Sequence, residues 1–202
     1  MINVVLASSN AGKLSELNGS LGELGVRFTS QSEHQVSDAV EDGLSFVENA
    51  IIKARHASKQ TGLPALADDS GLAVDALGGA PGIYSARYSG DRDDRSNYLK
   101  LLQDMERQPD RSAHFICCLV LVRHWQDPTP VICQGDWLGD IATEPRGQQG
   151  FGYDPIFLPK GLTMSAAELS KSEKSAISHR GKAVKQLKQF LSQHPTWLTP
   201  GG

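Results

Sequence analysis

Three segments of this chain concentrate residue types that handle nucleotides. The first, Ser8-Ser9-Asn10-Ala11-Gly12-Lys13, lies between an apolar run and a stretch with leucines at helical spacing. A helix N-terminus offers N–H groups without partners and the positive end of a dipole, and Lys13 adds a full charge. Small residues, with Gly12 among them, let an anion approach the backbone, so the loop suits a triphosphate. An ordinary strand-to-helix turn capped by Ser9 or Asn10 has the same composition. The G-x-x-x-x-G-K-[ST] spacing of a Walker A loop is absent, and Leu14 stands where its hydroxyl belongs, which disfavours kinase or motor chemistry.

The second segment, Asp68-Asp69-Ser70-Gly71, sets two adjacent carboxylates before a glycine. Mg²⁺ takes oxygen ligands and keeps waters for substrate phosphates, so one acid can hold the ion while the other orients or deprotonates a water. Glu41, in the acidic loop Asp38 to Asp42, is the candidate for a further oxygen ligand. An Asx turn with exposed acids is the plain alternative. Lys53 follows Asn49 by one helical turn and is a candidate phosphate contact, whereas Glu48 reads as a capping residue.

The third set is Phe151-Gly152-Tyr153-Asp154, with Lys174, Ser178, His179 and Arg180 downstream. A ring beside glycine can stack on a base, a carboxylate can accept from a ring N–H, and Arg or His can donate to a keto oxygen. Together they describe a 6-oxo purine. Adenine reverses the donor and acceptor order at that edge, and discrimination of this kind reaches about 10⁴ to 10⁵-fold. A glycine-rich turn followed by a helix start explains the same residues structurally, and His179 by itself reads better that way.

The elements that must position these groups follow from periodicity. Ile2 to Ala7 reads as a buried strand, and Leu14, Leu17, Leu21 and Leu24 mark an amphipathic helix stopped by Gly25. A strand near Val26 to Ser30 precedes a helix opened by Ser45-Phe46-Val47-Glu48 and running to about Gln60. Ala65 to Ala67 and Leu72 to Leu77 read as two short strands, with Asp68 and Asp69 at the end of the first. Asp91 to Glu106 is helical, and Ala113 to Arg123 and Thr129 to Ile141 are long strands suggesting an antiparallel hairpin. Ser165 to Glu168 starts a capped turn, and a last helix follows His179. The expected fold is α/β: a mixed central sheet flanked by helices, one domain over residues 1–202 in two lobes, with the active-site cleft between them.

Of the 202 residues, 20 are basic and 23 acidic, a net charge of -3, and no aromatic and basic stripe is present, so nucleic acid is not an expected partner. Cys117, Cys118 and Cys133 have no metal or redox spacing and read as buried hydrophobes of a reducing compartment. The longest apolar run, Phe115 to Val122, cannot span a bilayer, and the amino-terminal run lacks a basic leader. A cytoplasmic protein without a membrane partner is expected.

These motifs together resemble the inosine triphosphate pyrophosphatase family of non-standard purine nucleoside triphosphatases. The matching segments are Ser8 to Lys13, Gly43 to Lys53, Leu66 to Leu77, Gly79 to Tyr88, Gly150 to Phe157 and Glu173 to Gly181, in order along most of the chain. The resemblance implies hydrolysis of ITP, dITP and XTP to the monophosphate and pyrophosphate, with Mg²⁺ as cofactor and a homodimer as the assembly. It implies that Ser8, Asn10 and Lys13 bind phosphates, that Glu41 and Asp69 hold the metal, and that Asp69 also acts as general base, supported by Asp68 and Lys53. Ser70 would contact substrate, and Phe151 to Asp154 with Lys174, His179 and Arg180 would enclose the base. Ser8 replaces the family's usual threonine and keeps its hydroxyl. The residues themselves leave open which of Asp68 and Asp69 takes the proton. They also leave two other readings, a nucleotide sensor without turnover and a pyrophosphatase for modified pyrimidine nucleotides.

Overall fold

Ile2–Leu6 form β1, whose last three residues are fully buried, as a strand covered on both faces requires. The computed structural model describes residues 1–199, apart from the side chain of Ala11. After β1 come α1 (Ala11–Leu21), β2 (Val26–Ser30), α2 (Phe46–Thr61), β3 (Ala65–Val74) and α3 (Asp94–Asp104). The chain continues through β4 (Ser112–Val122), β5 (Val131–Ile141), β6 (Phe157–Pro159), α4 (Lys171–Ile177) and α5 (His179–Gln193). The strand order is β2-β1-β3-β4-β5-β6, with β1 parallel to β2 and β3 and β5 antiparallel to β6. This is the mixed sheet with flanking helices that the periodicity predicts.

The helix limits follow local chemistry. Asn10 caps α1 by accepting the Lys13 N–H, and Ser45 caps α2 by accepting the Glu48 N–H. The Glu48 carboxylate accepts from the Leu44 N–H at 3.0 Å and the Ser45 hydroxyl at 2.7 Å, which makes it the capping residue expected of it. Ser170 and Glu173 close a full capping box at α4 that the sequence reading did not single out. Ser165 to Glu168 remains a turn, with the Ser165 N–H donating to Glu168, and no helix grows from it.

The expected pair of short strands, Ala65 to Ala67 and Leu72 to Leu77, is overturned. Ala65–Val74 is a single ten-residue strand, so Asp68 and Asp69 lie within β3 rather than at the end of a shorter one. Asp, Ser and Gly favour turns, but the strand persists because lysines from α1 and α2 neutralise its two acids.

The chain divides into two compact units, each with its own core. The first comprises Met1–Asp69, Cys118–Gln134 and the described residues from Ala183 onward; the second comprises Ser70–Cys117 and Gly135–Lys182. In the first, Ala50, Ala54 and Ala57 form a stripe along α2 and pack with Val5, Ala65 and Val120. The second core is aromatic: Phe115, Trp137, Tyr153 and Phe157 pack with Leu72 and Leu101. The three cysteines are buried thiols, as their apolar surroundings predict.

Candidate active site

The loop from Ser8 to Lys13 enters α1 directly from β1. The Asn10 N–H donates to Ser8 Oγ at 3.2 Å, and Asn10 Oδ1 takes the Lys13 N–H at 3.1 Å. Asn10 is therefore the cap, one of the two residues the sequence offers for that task. A Cβ on Gly12 would stand 3.1 Å from Asn10 Oδ1, tight enough to displace it. The 3₁₀ turn after β2 braces the loop from outside: Ser30 Oγ donates to the Ser8 carbonyl at 3.2 Å and Ser32 Oγ to Ser9 Oγ at 3.3 Å. Neither serine is signalled by any motif. Ala11 opens α1, and its side chain lies outside the described residues.

Both acids of β3 receive a lysine. Lys13 Nζ meets Asp68 Oδ1 at 2.6 Å, and Lys53 Nζ meets Asp69 Oδ1 at 2.5 Å and Glu41 Oε2 at 3.2 Å. Asp68 is 5% exposed, and the Asp69 and Lys53 side chains are mostly covered. Glu41 does fold toward Asp69, through their shared lysine. Its loop is anchored to α2: the Gly43 N–H donates to Asn49 Oδ1 at 2.9 Å. A Cβ on Gly43 would meet that same oxygen at 2.7 Å, which explains the glycine there. Asn49 thus holds the acidic loop, while Lys53, one turn along, holds its carboxylate.

Glu41, Asp68 and Asp69 meet Lys13 and Lys53 in a half-buried place. Burial pushes the Asp69 carboxyl up to about 6 against the pull of Lys53, and Glu41 and Asp68 push in the same direction as burial. Burial alone would lower the Lys53 ammonium, but Asp69, then Asp68 and Glu41, hold it above its ordinary value. Among the described residues no group of three or more His, Cys, Asp and Glu is placed to cage a metal. Glu41 and Asp69, brought together on one lysine, suit a hard ion that uses one or two carboxylates and takes its remaining oxygens from water and phosphate, as Mg²⁺ does.

The second group of predicted residues lies within the second unit. Phe151 is 58% exposed, with Lys174 Nζ 4.8 Å and Arg180 Cζ 5.6 Å from its ring centre. Asp154 is buried, forms an ion pair with Lys174 and accepts the Phe151 N–H at 2.9 Å. Gly150 has φ +79°, and a Cβ there would meet Asp154 Oδ2 at 2.0 Å, so glycine is required twice over. Gly181 allows a tight corner between α4 and α5, where an added Cβ would meet the Ser175 carbonyl at 1.8 Å. That corner carries Lys174 and Arg180 to the same ring.

Two residues of this set face inward. Tyr153 belongs to the aromatic core and donates its hydroxyl to the Ser85 carbonyl at 2.7 Å. His179 is 6% exposed and stacks on Phe115 with ring centres 4.8 Å apart. Gly152 donates its N–H to Asp94 Oδ2 at 2.7 Å, a contact no sequence signal announces. Ser70 is half-buried in β3, directly after Asp69. The structure thus gathers Ser8 to Lys13, Glu41, Lys53, Asp68 and Asp69 in one unit, and Phe151 to Asp154, Lys174, His179 and Arg180 in the other.

Residues 4–190 match the model of the Ham1 family. The chain is 58% identical over 194 residues to a dITP/XTP pyrophosphatase of Shigella flexneri, spanning 95% of this chain and 98% of the relative. A protein of the same name from Nitrosomonas europaea is 53% identical over 197 residues, 97% of each chain. Among solved structures, a HAM1 protein from Coxiella burnetii superposes with TM-score 0.93 at 52% identity, over 96% of this chain and all of that one. The Ham1 protein of Staphylococcus aureus gives 0.87 at 39% identity, over 95% of this chain and 99% of its own.

Proposed function

This chain belongs to the Ham1 family, and from that premise we propose that it hydrolyses ITP, dITP and XTP to the monophosphate and pyrophosphate, clearing non-standard purines from the nucleotide pool. The observation that carries this reading is the set of lysine–carboxylate pairs around the α1 loop: Lys13 with Asp68, and Lys53 with Asp69 and Glu41. A simple triphosphate receptor gains nothing from acids beside its lysines, whereas a hydrolase needs a base next to phosphate-binding cations.

In this reading the two units act as one catalytic domain. Ser8, Ser9, Asn10 and Gly12, with the open end of α1, take the phosphates, and Ser70 contacts the substrate. Glu41 and Asp69 would hold Mg²⁺, which when bound would supply positive charge for the phosphate oxygens. Asp69 orients a water toward the α-phosphorus and accepts its proton. Burial, with Glu41 and Asp68 beside it, raises the Asp69 carboxyl and so favours its taking a proton. Asp68 holds Lys13 in place, and Lys13 and Lys53 meet the charge that develops on the departing pyrophosphate. No covalent intermediate is needed.

The Phe151 ring stacks on the base. Lys174 and Arg180 beside it can only donate hydrogen bonds, so they suit the O6 acceptor of hypoxanthine or xanthine and oppose the amino group of adenine. Asp154, Gly152, Tyr153 and His179 set the positions of those groups. The protein is read as a cytoplasmic homodimer, and no helix of the described residues is long and apolar enough to cross a membrane.

Incubation with Mg²⁺ and ITP, dITP, XTP or ATP tests the reading. The expected products are the monophosphate and pyrophosphate, with ATP turned over at least about 10²-fold more slowly. Release of orthophosphate, or equal turnover of ATP, would refute it.

A further inference from the structure

An exposed aromatic ring on a glycine-rich loop is normally mobile, because little holds the backbone beneath it. Phe151 is different. Its own N–H is held by Asp154, the next N–H by Asp94, and the following residue is tied through the Tyr153 hydroxyl to Ser85. Three successive residues are thus fixed by three separate partners, while the ring itself stays open to solvent. A rigid, solvent-facing ring is what a stacking platform needs, since its ordering cost is met before the ligand arrives.

Asp94 is not called on to cap its own helix. It occupies the first residue of α3, whose cap is already supplied by Asp93, accepting from the Ser96 N–H at 2.7 Å and the Ser96 hydroxyl at 2.8 Å. Its carboxylate instead reaches a glycine 58 residues further along. A charge-assisted bond to a backbone N–H is strong and directional, and Gly152, at φ +61°, has no side chain to steady the loop otherwise. We propose that Asp94 is a positioning residue for base recognition: by holding the Gly152 amide it fixes the angle at which the Phe151 ring meets the purine. The proposal rests on the reading of Phe151 as the stacking residue.

Steady-state kinetics with ITP and Mg²⁺ test it. Asp94→Ala should raise KM by about tenfold or somewhat more, the lower end of the scale of one hydrogen bond to a charged group, with kcat changed less than about twofold. Asp94→Asn, which keeps an acceptor oxygen, should restore a KM near that of the unaltered protein. In a Phe151→Ala background, Asp94→Ala should raise KM no further, since both changes remove the same platform. If the alanine variant does not fold, Asp94→Ser carries the same expectations, because its hydroxyl is too short to reach Gly152. Equal rises in both backgrounds, a fall in kcat at unchanged KM, or no change at all would overturn the proposal. A Phe151→Ala variant with unaltered KM would overturn the stacking reading and this inference with it. A raised KM in Phe151→Ala but not in Asp94→Ala would overturn the inference alone.

Discussion

The core of the first unit is built from alanine and valine and that of the second from aromatic rings and leucine, and their polar groups differ just as much. In the first, an alanine stripe lets α2 lie close to its strands, which brings Lys53 within reach of Asp69. Charge there is paired and partly covered. In the second, a rigid aromatic core supports a loop whose one exposed ring is flanked by cations. Small residues permit close approach of charged elements, and large ones make a platform. The first arrangement suits bond breaking at phosphorus; the second suits choosing a base.

That contrast can be broken by substitution, starting where the effect is largest. Asp69→Asn keeps the shape of the side chain but cannot accept a proton, and kcat for ITP should fall by about 10³-fold with KM within a few-fold. A KM effect of that size at unchanged kcat would move Asp69 from chemistry to binding. Lys13→Met removes a lysine paired with a buried acid and, in the proposed reading, a charge at the leaving group, and kcat/KM should drop by about 10²-fold. Full activity in that variant would detach the α1 loop from the phosphates. In the second unit the signature should invert. Phe151→Ala should raise KM for ITP by about tenfold, the scale of one stacked base, and leave kcat nearly unchanged.

A control outside both sets sharpens the comparison. Asp127 is fully buried and accepts from the Arg123 N–H, the Arg123 guanidinium and the Thr129 N–H. Burial pushes its carboxyl up, but those hydrogen bonds outweigh it and hold it well below the usual carboxylate range. The stability it contributes is therefore complete above the unfolded value of about pH 4 and is lost as the pH falls from there through the folded value. Asp127→Ala should cost about 2–3 kcal/mol in urea unfolding at pH 7, since two backbone N–H groups lose their acceptor. The cost should shrink below about pH 4. The kcat of the folded fraction should not move, and a tenfold fall would tie this turn to the chemistry.

What was legible in the sequence was whatever depends on near neighbours. The limits of β2 and the start of α5 at His179 follow from periodicity and turn residues, and the capped loop into α1 follows from its place between a strand and a helix. What escaped depends on partners distant along the chain. Asp68-Asp69-Ser70-Gly71 looks like a turn until Lys13, 55 residues earlier, and Lys53, 16 residues earlier, cancel its charge. Asp94 looks like part of a helix cap until Gly152 arrives, and β6 is too short at three residues to leave any pattern. Ser30 and Ser32 brace the loop of Ser8 and Ser9 from β2 and the turn after it, where spacing carries no information.

The most direct test of where the chemistry happens is to hydrolyse ITP in heavy-oxygen water and weigh both products. Attack at the α-phosphorus, with the water held by Asp69, places the heavy atom in the monophosphate and leaves the pyrophosphate unlabelled. Label in the pyrophosphate would mean that the water strikes the β-phosphorus, and the assignment of Asp69, Lys13 and Lys53 would have to be abandoned.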